Sequence, residues 1–247
     1  MELFNDFFEP GAAWEVISRA GHILAGITWI GLLYFFNFVQ TPAYAELSDG
    51  ARSEALRKLT YRALWWFRYG ALLTFLFGLS IIAVYGEDMD LYFEGAHGTA
   101  ILTGMLFGIT MFLNVWGIIW RNQKRIIASA ESVAAGGEAD PGAAALAKPS
   151  ARASRANTFL SIPMLWFMVF SAHGGGFYRT DIGGTIVYWV LVLALWAFVE
   201  GSALGLIGGF DSPFNKAAFD KHQSTIIGGF VLLAIIYFIG WELLLPV

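Results

Sequence analysis

Runs of apolar residues as long as a bilayer is thick recur along this chain, and no other feature restricts its fold as much. Leu72 to Val84 and Val187 to Val199 are apolar on every face of a helix, and a helix crosses the hydrocarbon layer with about 20 such residues. A transmembrane barrel strand would alternate in polarity instead. With 57% hydrophobic and 14% charged residues among 247, and a mean hydropathy of +0.60, the chain lies far from the roughly 25% charge of a soluble domain. A soluble enzyme is thereby excluded. The chain reads as an all-α, polytopic helical bundle in the lipid bilayer, a single membrane domain over 1–247.

Hydropathy places about six spans, near 14–40, 63–85, 97–120, 158–177, 184–207 and 224–245, the fourth interrupted by Pro163. Basic residues orient them. Of the 15 Lys and Arg, all but Arg19 and Arg179 fall in or beside the first, third and fifth connections. The second connection carries Glu87, Asp88, Asp90 and Glu94 and no base. The positive-inside rule then expects both termini outside, in the periplasm of a bacterial cytoplasmic (inner) membrane. The first thirteen residues include acids and no Lys or Arg, unlike a signal peptide, so the first span is expected to stay in place.

Two further segments stand out. Residues 48–62 start at Ser48 and Asp49, with Leu56 and Leu59 on one side and Arg57, Lys58 and Arg62 on others, the pattern of a short helix at the cytoplasmic interface. The Ala/Gly/Pro-rich stretch from Ser129 to Ser150 predicts a flexible cytoplasmic linker over about 126–155. A net charge of -4 points to no nucleic acid. The absence of Cys excludes disulfides, thiolate-held metals and a covalently attached c-type haem.

Ionisable side chains inside a membrane are functional by default, and the histidines are placed suggestively. His22, His97 and His173 fall toward the outer ends of three different spans, whereas His222 lies at the cytoplasmic side. A rise of about 1.5 Å per residue puts His22 and His173 at similar depth. Without thiolates, imidazole is the natural iron ligand, and two histidines from facing helices hold a b-type haem in many bundles. His22, Gly26 and Trp29 share one helix face, as do His97, Ile101, Gly104 and Gly108: a ligand, a gap for a flat ring, an aromatic wall. The expected iron ligands are His22 and His173, with His97 as substitute or substrate contact, and Arg19 near a propionate. The plainer reading is that Gly104-x-x-x-Gly108 packs helices and that a histidine near a helix end reaches for water. Toward the inner half lie Arg68, Asn114 and Glu200; Arg68 and Glu200 are expected to form a buried ion pair or, more sharply, part of a proton path.

These residues carry a resemblance. The stretches RAGHILAGITWIGLLYFFNFVQTP from Arg19 to Pro42, AHGTAILTGM from Ala96 to Met105, NVWGIIWRNQK from Asn114 to Lys124 and ANTFLSIPML from Ala156 to Leu165 resemble the membrane domain of the bacterial membrane-bound, cytochrome c-linked urate oxidase (urate hydroxylase) family. The resemblance implies an integral-membrane oxidoreductase that takes electrons from urate and passes them to the respiratory chain. Members of that family typically continue into a C-terminal cytochrome c domain, whereas this sequence ends at Val247 without Cys. A separate cytochrome c is the acceptor this implies. The alternative expectation is a non-catalytic membrane subunit of a respiratory or photosynthetic electron-transfer complex. The His22, Trp29, Gly31 pattern also resembles the first helix of haem-binding bacterial protoporphyrinogen oxidases and of copper-resistance membrane proteins.

Overall fold

The computed structural model describes residues 12–86, 92–174 and 182–245. Within them the chain is helical, with no strand. We number the helices α1 (Ala12–Glu46), α2 (Asp49–Val84), α3 (Gly95–Ala134), α4 (Ala147–His173), α5 (Ile182–Ala203), the short α6 (Pro213–Phe219) and α7 (His222–Leu243). Five of the long helices, all but α4, are long and apolar enough to cross a membrane.

The exception has a physical cause. Ser150, Arg152, Arg155, Asn157, Thr158 and Ser161 of α4 are all buried, because this helix is wrapped by α1, α3 and α7 and faces protein where its neighbours face outward. Its polar groups find partners there: Ser161 Oγ lies 2.9 Å from the Tyr34 hydroxyl of α1, and Asn157 donates to the Met111 carbonyl of α3 at 3.0 Å. A hydropathy scale calibrated on lipid exposure undervalues such a helix.

Paired residues give the directions. Ser18 meets Ser80 and His22 meets Thr74, so α1 and α2 run antiparallel. Gly104 abuts Met168 and Asn114 bonds Asn157, so α3 and α4 do likewise. Thr103 bonds Tyr188 and Thr110 bonds Trp196, which sets α5 parallel to α3. The third connection and the start of α2 therefore share one end of the bundle, where the Lys and Arg side chains gather. The acidic residues Glu87, Asp88 and Asp90, the glycines 175 and 176, Arg179 and most of the fifth helix's lead-in lie outside the described residues.

Close helix approach requires glycine at two places. A Cβ at Gly70 would stand 3.2 Å from the Trp29 backbone nitrogen, so α1 and α2 touch backbone to backbone. At Gly229 of α7 it would stand 2.7 Å from the Phe159 carbonyl oxygen of α4. That carbonyl lacks its usual helical donor because Pro163, four residues on, has no N–H, and α7 packs into the gap.

Two segments differ from their sequence reading. Residues 49–62 are not a separate interfacial helix; Ser48 caps α2, accepting from Ala51 N, and the helix runs on unbroken to Val84. The 126–155 region is mostly helix, since α3 extends to Ala134 and α4 begins at Ala147. Alanine is the best helix former, and its abundance there builds helix ends. The intervening 135–146 loop folds back: Arg125 pairs with Asp140, whose N–H donates to Ser129.

Candidate functional site

Between the α1–α2 pair and the α3–α4 pair lies an apolar slot of about 440 Å³. Its walls carry Gly26, Trp29 and Gly31 from α1, Thr74 and Gly78 from α2, Met105 and Gly108 from α3, and Met164 and Met168 from α4. Phe75 and Phe112 close it, stacked across the two pairs with centroids 4.6 Å apart and planes 9° from parallel. Small residues leave the gap; aromatic and thioether side chains line it.

His22 is the one imidazole on its wall. Its Nδ1 lies 2.8 Å from the Thr74 carbonyl oxygen, which can only accept, so Nδ1 carries the proton and, in the neutral ring, Nε2 is the free base. This is the arrangement that prepares a histidine for a metal: a backbone carbonyl fixes both tautomer and ring orientation. A Cβ at Gly78 would sit 3.3 Å from the ring, so that glycine makes room for it. Trp29, 3% exposed, presents a buried indole N–H with no partner among the described residues.

The slot opens beside a polar rim at the end where α1 begins. Tyr92 lines the slot, its ring 4.3 Å from Tyr85 and 4.8 Å from His97. Arg19 donates to Tyr85 at 2.9 Å and to Glu15 at 2.9 Å. The histidines predicted to share a ligand do not converge. His97 hydrogen-bonds the Tyr92 carbonyl at 2.8 Å and belongs to the rim. His173 is exposed at the last turn of α4. Neither lines the slot, and no group of three His, Cys, Asp or Glu side chains suited to a metal occurs among the described residues.

Other expected residues also separate. Gly104 lies against Met168, whose Cγ and sulfur would be 3.2 and 3.3 Å from a Cβ there; it seats a side chain between helices and is not a slot wall. His222 lies near the opposite end, its ring 6.1 Å from Phe38. The Arg68–Glu200 pair does not form. Arg68 stacks on Trp120, its guanidinium carbon 3.6 Å from the ring centroid. Glu200, 7% exposed, hydrogen-bonds Asn114, which in turn donates to Asn157 at 2.9 Å. The helix phase of residue 68 points it at α3, and α5 delivers residue 200 elsewhere.

Sequence reasoning missed Tyr92, Met105, Met164 and Met168. The methionines gave no signal because a thioether at helical spacing looks like ordinary core. An apolar slot that separates two helix pairs, a single oriented imidazole, glycine gaps, an orphaned indole donor and three thioethers suit a flat, largely apolar macrocycle bearing one metal, such as haem b. Of the two histidines expected to act together, only His22 lies on the slot wall.

Residues 89–199 match the family model described as urate oxidase N-terminal. The match covers α3, α4 and nearly all of α5, and it omits α1 with His22. No curated protein and no solved structure matches the chain.

Proposed function

We propose that this chain is a urate oxidase-like membrane oxidoreductase that holds a b-type haem in the apolar slot through His22 and passes electrons to a cytochrome c. The observation that carries the reading is the His22 imidazole, fixed by Thr74 O at 2.8 Å on the wall of an otherwise apolar slot. The family match over 89–199 supports the substrate class. Met105, Met164 and Met168 also line the slot, and a methionine ligand beside His22 would raise the potential relative to two histidines. When bound, the haem supplies one-electron redox chemistry. The chain's own residues exclude water from the slot, orient His22 through Thr74 and Gly78, and keep charge at the rim through Arg19 and Glu15. With the basic end in the cytoplasm, the slot would lie toward the periplasmic face of a bacterial inner membrane, on the side where a cytochrome c docks.

The test is optical. Purified protein should show a reduced-minus-oxidised b-type α band and a pyridine haemochrome; their absence overturns the haem. Urate loss coupled to cytochrome c reduction then tests the reaction, and a haem-containing protein that never consumes urate would overturn the substrate.

A further inference from the structure

A second cavity, of about 470 Å³, lies at the opposite, basic end of the bundle. Its lining is polar where the slot's is apolar: Asn37, Gln40, Thr60, Gln123 and Ser154 face it together with Lys148, Arg152 and Arg155. Three of its walls are π-helical turns, Phe35–Gln40 of α1, Leu56–Thr60 of α2 and Val115–Ile119 of α3. Such widened turns cluster at functional sites because they free backbone groups and re-aim side chains. In α1 the cause is local. Pro42 would press on the Phe38 carbonyl in a regular helix, and the wider turn lets Thr41 donate to Phe36 O at 2.7 Å instead.

Charge matching leaves one cation over. Lys148 pairs with Asp211 at 2.6 Å, and Arg152, 6% exposed, pairs with Asp220 at 2.6 Å. Arg155 is 8% exposed, forms no ion pair, and its Nη1 is buried with no hydrogen-bond partner among the described residues. A guanidinium cannot shed its proton to escape burial, so an unpaired one is costly unless an anion joins it. The Arg152 Nε is likewise buried and unpartnered.

We infer that this cavity binds a small organic anion that carries one negative charge and hydrogen-bonding groups along its edges. One charge matches the one cation of the lining without an ion pair among the described residues. The volume exceeds what an inorganic oxyanion fills, and the amides and hydroxyls of Asn37, Gln40, Thr60 and Gln123 offer both donors and acceptors. The fork of Arg155 favours a planar, bidentate partner. The inference stands apart from the haem, since no residue of the slot takes part.

The test measures binding, not turnover. Purified full-length protein in neutral detergent is dialysed against labelled urate, a planar monoanion of this description, and against inorganic phosphate. It is also reconstituted in nanodiscs with or without phosphatidylglycerol. Saturable urate binding, weakened at least about tenfold in Arg155→Gln and less in Arg155→Lys, is the expected result. Arg155→Gln without ligand should melt no lower than the parent, because it removes an uncompensated buried charge; if that variant fails to fold, Arg155→Lys carries the comparison. Absence of saturable urate binding, equal affinity in Arg155→Gln, phosphate binding as tight as urate, or displacement of urate by phosphatidylglycerol would each overturn the proposal. The optical spectrum of the same samples reports the haem separately.

Discussion

The two cavities have nearly the same volume, about 440 and about 470 Å³, and opposite chemistry. The slot is walled by Met, Phe, Trp and Gly with a single imidazole; the basic-end cavity is walled by amides, hydroxyls and guanidiniums. Both are walled by α1 to α4, the basic-end cavity with Phe219 of α6 and Asp220 added. In α1 the change happens over about two turns, between Trp29 and Asn37. A bundle of this kind can thus separate a site that binds through shape and one metal bond from a site that binds through charge. In each, the informative feature is a polar atom whose partner has been chosen or withheld: the carbonyl-bound Nδ1 of His22, and the bare Nη1 of Arg155.

The largest effect that would break this contrast is at His22. His22→Ala should abolish the b-type spectrum of the purified protein, while Arg155→Gln should leave it intact, as read by pyridine haemochrome per mole of protein. If both variants lost haem equally, the cavities would not be independent. Next, Gly78→Leu should press on the His22 ring and reduce haem occupancy by about tenfold, the usual scale for disturbing the orientation of a metal ligand; titration of apo-protein with haemin reads it. A smaller effect lies between the cavities. Asn157→Leu removes the acceptor of Asn114 and a donor to Met111 O, and should cost about 1–3 kcal/mol in unfolding from mild detergent, with both ligands still bound.

The smallest effect lies outside both sites. The Arg125 guanidinium and the Gly142 N–H hold the Asp140 carboxyl below its ordinary value. A lowered pKa contributes stability above the unfolded value, lost as pH falls through the folded one. Hydrogen exchange in 135–146 should therefore quicken only as pH drops below the usual carboxylate range, with no change in global melting.

Much of this was legible in the sequence, for reasons that differ by residue. Charge-free runs announced the apolar helices, and Ser48 with Asp49 announced a helix start, though not that this helix runs on into the second span. His22, Gly26 and Trp29 were readable as a face because helical spacing alone brings them together. The separation of His97 and His173 from His22 was not readable, since it depends on the rotation of α3 and α4 about their own axes, which a depth calculation does not contain. Gly104 misled for a related reason: a glycine gap looks the same whether a cofactor or Met168 fills it. The fourth span was placed, but the burial of the polar N-terminal half of α4 was not readable, because its polar residues are matched by other helices, information that resides in their sequences and not in its own. The basic cavity was invisible because its lining is drawn from five distant segments, with only the unpaired Arg155 to betray it.

The stacked Phe75 and Phe112 rings carry a last consequence. They reach from α2 to α3 and act as a strut between the helix pairs, so the width of the slot is set by protein against protein. A flat guest then enters a space already held apart, and the helices need not be prised open to admit it. Such preorganisation spares the ordering cost that a collapsible cleft would impose on binding. It also makes the gap a property of the empty fold: shortening either ring should let the two pairs settle together and close the slot before any guest arrives.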